Sequence, residues 1–74
     1  MDFYTLKIRY SGEEDDVFVF SSKENAEAQV YEYFEHIEKP LMKLEDFQRF
    51  LARQDIGYFN IEHSKAKHHL RRLS

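Results

Sequence analysis

Between positions 3 and 10 apolar and polar side chains alternate, with Tyr4, Leu6, Ile8 and Tyr10 on one side and Phe3, Thr5, Lys7 and Arg9 on the other. A period of two is that of a strand with one buried face. Val17 to Phe20 is a second run of β-formers, and the polar segment SGEEDD at 11–16 separates the two and contains Gly12. This pattern predicts an antiparallel hairpin. Its tip carries Glu13, Glu14, Asp15 and Asp16, which must project into water.

The period then changes. Ser21 followed three residues later by Glu24 fits a capping box, so a helix is expected from there to about Lys39, where Pro40 stops it. At 100° per residue, Ala26, Val30, Tyr33, Phe34 and Ile37 gather on one face of that helix. Glu24, Glu27, Tyr31, Glu35 and Glu38 gather on a neighbouring face and form an acidic ridge with one tyrosine. Leu44, Phe47, Phe50 and Leu51 repeat the helical spacing and predict a second helix over about 44–54. Gly57 is expected to supply the freedom to leave it. Tyr58 to Glu62 alternates again, with Phe59 and Ile61 inward, as a third strand.

The expected fold is therefore α+β: a small three-stranded sheet with two helices on one face, in the order ββααβ. Residues 1–63 make the compact domain and 64–74 a basic C-terminal extension. Leu6, Ile8, Phe18, Phe20, Val30, Phe34, Ile37, Phe47, Leu51, Phe59 and Ile61 are the expected core. In the extension Ala66, Leu70 and Leu73 have helical spacing, but an isolated helix of about ten residues is marginal in water. It is either a tail or a short helix that a partner orders.

A chain of 74 residues buries only about 60% of its unfolded surface, so its core needs large side chains, and seven Phe and five Tyr supply them. With no cysteine, neither a disulfide nor a thiolate metal site is possible. The first residues do not resemble a signal peptide, and no apolar run approaches the roughly 20 residues that span a bilayer. These features point to a soluble, cytoplasmic protein.

Charge changes the picture more than composition does. Residues 1–62 hold all 14 acids against seven Lys and Arg, a net charge of -7, whereas residues 63–74 hold four basic side chains, three histidines and no acid. Between positions 13 and 38 there are nine acids, with Lys23 the only Lys or Arg. A negative field of that extent can imitate a phosphate backbone and occupy a basic groove, with Tyr31 as an aromatic anchor. The bland alternative is a solvated helix face.

The other chemistries find less support. Histidines 63, 68 and 69 are not spaced to put two imidazoles on one helical face, and no metal or other cofactor is expected. No apolar pocket beside the carboxylates is evident that would raise a pKa for acid–base work, Gly12 and Gly57 are too isolated for a phosphate loop, and a cleft of roughly 300 Å³ would take much of so small an interior. The chain is not expected to be an enzyme. Lys65, Lys67, Arg71 and Arg72 could hold nucleic-acid phosphates, but the tail lacks the aromatics that stack on bases.

The sequence thus points to a small acidic protein-binding module whose partner is a basic, nucleic-acid-binding protein surface. The expected contact residues are Glu13, Glu14, Asp15, Asp16, Glu24, Glu27, Tyr31, Glu35 and Glu38. In general format, though in no residue motif, it resembles the compact cysteine-free acidic proteins with which phages and mobile elements inhibit host nucleic-acid enzymes or defence complexes, anti-CRISPR proteins among them. Two alternatives remain open. One is a nucleic-acid-binding accessory protein acting through the tail; the other is a self-associating protein whose sheet pairs through an exposed edge, with surface tyrosines at the interface.

Overall fold

The computed structural model describes residues 2–37 and 42–65. Strands β1 (Asp2–Tyr10), β2 (Asp16–Phe20) and β3 (Gly57–Lys65) and helices α1 (Lys23–Tyr33) and α2 (Leu44–Arg53) follow the order ββααβ. The sheet is antiparallel with strand order β2-β1-β3, so β1 is the central strand. Both ladders run without a bulge. Tyr4 lies opposite Phe20, and Ile8 opposite Asp16, on one side of β1, while Asp2 lies opposite Lys65 and Tyr10 opposite Gly57 on the other.

The alternation in β1 sends Leu6 and Ile8 under the helices, where both are fully buried. Their cross-strand neighbours Phe18, Phe59 and Ile61 share that face. Ala26 and Val30, one turn apart on α1, and Phe47 and Leu51, one turn apart on α2, close over them. Phe34, immediately after α1, completes the buried set. Phe18, Phe20, Ile37 and Ile61 are half-buried at its margin.

Helix α1 starts one residue later than the capping-box reading expects. Its N-cap is Ser22, whose hydroxyl accepts from the Asn25 N–H at 3.1 Å. The third helical residue is then asparagine rather than glutamate, so the cap is one-sided. The helix also ends at Tyr33 and does not continue toward Lys39. The Tyr10 hydroxyl donates to the Tyr33 carbonyl, and the backbone tightens to i→i+3 bonds from Glu35 to Glu32 and from Ile37 to Phe34. A contact from the sheet therefore ends the helix ahead of Pro40, which lies with Glu38 outside the described residues.

Helix α2 carries Glu45 and Asp46 in its first turn and Arg53 in its last, as its dipole favours. Its exit differs from expectation. Asp55, with φ of 55°, takes the left-handed position, while the N–H groups of Asp55 and Ile56 bond to the carbonyls of Ala52 and Leu51. Gly57 is needed for space. A Cβ there would lie 2.5 Å from the Arg9 carbonyl oxygen and 2.9 Å from the Phe34 ring.

Strand β3 continues three residues past Glu62, because β1 begins at Asp2 and offers a partner to each. His63, Ser64 and Lys65 pair with Tyr4, Phe3 and Asp2, so Ser64 and Lys65 belong to the sheet. The extension beyond Lys65 lies outside the described residues.

Replacing Phe47 by Ala should cost about 3–5 kcal/mol, because the ring packs against Tyr31, Phe34 and Phe50 and its loss leaves a cavity between the helices. Urea denaturation measures this. Gly57→Ala should destabilise by about 1–3 kcal/mol, because backbone and a buried ring have to move. A cost of only a few tenths would show that the β1–β3 approach is not the reason for glycine.

Candidate functional site

The hairpin tip is shaped by its turn. The Glu13 N–H donates to the Tyr10 carbonyl at 3.0 Å, and Gly12 takes φ of 84°, a conformation that side chains disfavour. Glu13 and Glu14 are exposed there. Asp15 and Asp16 have partners: Asp15 accepts from Arg9 at 2.6 Å, and Asp16 accepts from the Tyr33 hydroxyl at 2.6 Å. The second bond ties the base of β2 to the end of α1.

That tie draws the hairpin acids and the helix end together. Tyr10 stacks on Tyr33 at 5.1 Å between ring centroids, makes a T-shaped contact with Phe34 at 4.9 Å, and has His36 Nδ1 at 3.3 Å from its hydroxyl. Burial, and then the charges of Glu13 and Glu35, push the Tyr10 pKa up. Tyr33 moves further in the same direction through burial, its bond to Asp16 and the charges of Asp16, Tyr10 and Glu13. Glu13 and Glu35 thus converge on one aromatic cluster. Glu35 reaches it because the helix stops at Tyr33, which takes it out of the expected ridge.

The rest of the ridge is distributed differently. Glu24 is exposed on the first turn of α1, and Glu27 pairs loosely with Lys23 at 3.9 Å. Tyr31, expected as an exposed anchor, is half-buried. Its ring stacks on Phe47 at 5.4 Å, and its hydroxyl donates to the Met42 carbonyl at 2.7 Å. Burial, then Glu27, pushes its pKa up. Tyr31 thus joins α1 to the approach to α2. Of the basic candidates, Lys65 lies opposite Asp2 in the sheet; Lys67, Arg71 and Arg72 lie outside the described residues.

Sequence reasoning missed an open groove of about 750 Å³ on the helix side of the sheet. Tyr4 and His63, stacked at 4.8 Å, contribute to its lining along with Ile61 and Phe59. Lys23 and Glu27 from α1 line it as well, as do Lys43, Leu44 and Gln48 from the start of α2. His63 Nε2 lies 3.3 Å from Asp2, so that pair sits beside the groove. The cross-strand pairing of Tyr4 with His63 was the available signal, hidden because β3 continues through polar residues. Among the described residues, no three His, Asp or Glu side chains form a metal-holding group, and no helix is long and apolar enough to cross a membrane.

Tyr33 generates a pH prediction. Its pKa in the fold lies above the ordinary value of 10.0, so the protonated form is favoured by folding. The stabilisation is fully present below pH 10.0 and is lost as pH rises toward the folded-state value. Thermal stability should therefore fall above about pH 10, and Tyr33→Phe should make that fall shallower. At neutral pH the same variant should lose about 1 kcal/mol through the missing bond to Asp16.

No protein-family model matches the chain, and neither curated proteins nor solved structures provide a match.

Proposed function

We propose that the protein is a non-enzymatic binding module that presents an acidic end to a basic surface of a nucleic-acid-binding protein and acts there as an inhibitor or adaptor. The observation that carries this reading is the Tyr33–Asp16 hydrogen bond, which joins the hairpin tip, where Glu13 is exposed, to the end of α1, where Glu35 is exposed just beyond it. Glu14 and Glu32 are exposed on the same two elements. The Tyr33–Asp16 bond holds hairpin and helix together, so these carboxylates need little ordering on binding. An acidic surface of this kind speeds encounter with a basic partner and selects against nucleic acid itself.

Glu13→Lys combined with Glu35→Lys should abolish capture of a basic nucleic-acid-binding protein from extracts of the source cell while leaving the circular dichroism spectrum unchanged. Wild-type capture should weaken as salt rises from about 0.05 to 0.5 M, because exposed charges are screened. Equal capture by the variant and the wild type would refute the proposal.

A further inference from the structure

The sheet has two edges, and they are built differently. On β3, Gln48 of α2 donates its side-chain amide to the Phe59 carbonyl at 2.9 Å, and Glu62, His63 and Lys65 put charge or polarity along the strand. These are the means by which proteins protect an edge from pairing. β2 has none of them between its ends. Its residues 17–20 read Val, Phe, Val, Phe, with no lysine, proline, glycine or bulge, and Val17 and Val19 are 57% and 63% exposed.

The ladder parity fixes where the free backbone groups of β2 point. The Ser11 N–H bonds to the Ile56 carbonyl directly opposite, so odd-numbered residues of β1 face β3 and even-numbered ones face β2. Tyr4, Leu6 and Ile8 thus bond to Phe20, Phe18 and Asp16, and the N–H and C=O groups of Val17 and Val19 point out of the sheet.

We propose that this edge pairs antiparallel with β2 of a second copy of the chain, around a twofold axis through Phe18, and joins two three-stranded sheets into one of six strands. This register matches all five residues of β2 with those of its copy. Val17 faces Val19 of the second copy, twice, and each match is a hydrogen-bonded pair because both residues carry outward groups. The valines then cover one another on the side of the sheet away from the helices, and the two Phe18 rings meet on the helix side. Packing of the two bare sheet faces is a poorer match, because Lys7, Arg9 and Glu62 occupy that surface and its exposed valines lie along one margin. A five-residue edge buries little area, so the dimer is one that dissociates on dilution.

Sedimentation equilibrium across a concentration series, with amide hydrogen exchange on the same samples, tests the proposal. The wild type should pass from monomer to dimer with rising concentration. The Val17 and Val19 amides should become protected as it does, while Phe18, already bonded to Leu6, stays protected throughout. Val19→Lys should weaken the dimer by about tenfold or more, since a lysine on a free edge is how pairing is ordinarily blocked, and should leave the monomer's spectrum intact because the site is exposed. A wild type that stays monomeric to about 1 mM, far above the dissociation constant of a specific dimer, would overturn the proposal. So would a dimer that survives Val19→Lys, or protection that rises at Ile61 and His63 instead. Because Val19→Lys leaves Glu13, Glu14 and Glu35 in place, its outcome is separate from that of the acidic-end reading.

Discussion

The position of Phe34 is the constraint on which most of the structure depends. Its ring makes T-shaped contacts with Tyr10 on β1 and Phe47 on α2, and it rests against the backbone at Gly57 where β3 begins. One side chain at the end of α1 thus touches two strands and the other helix. That placement needs the helix to stop at Tyr33 and the turn that follows to fold back, and the Tyr10 hydroxyl on the Tyr33 carbonyl provides both. In a domain this small, a ring shared by four elements does what a larger protein distributes over several layers.

The surface chemistry follows from the same turn. Had α1 continued to Pro40, Glu35 would have remained on a helical ridge with Glu24 and Glu27. Ending it early brings Glu35 to the aromatic cluster at the hairpin end, so acids 22 residues apart in the chain act on one tyrosine. Fold and charge distribution are coupled through a helix terminus.

How much of this was legible in the sequence depended on whether the signal was local. The alternation of Tyr4, Leu6 and Ile8, and the spacing of Phe47 and Leu51, are local, and the elements they predict are present. The end of α1 was not legible, because the hydroxyl that sets it comes from Tyr10, 23 positions earlier. His63 to Lys65 carry no apolar pattern and are strand because β1 offers partners. The acids of the candidate site could be named from their positions. That Asp15 and Asp16 are held by Arg9 and Tyr33, and that Tyr31 packs on Phe47, needed the fold.

The pairing of Asp2 with Lys65 has a mechanical consequence. The two outer ends of the described chain lie opposite each other at one end of the β1–β3 ladder, and that ladder is antiparallel. Tension applied through those ends acts across the strands rather than along them. It opens the ladder like a zipper, one closely spaced pair of hydrogen bonds after another, beginning at Phe3 and Ser64. A fold whose ends emerged at opposite ends of paired strands would have to shear all its bonds at once. This one yields progressively, and the first pairs to part lie beside the stacked rings of Tyr4 and His63.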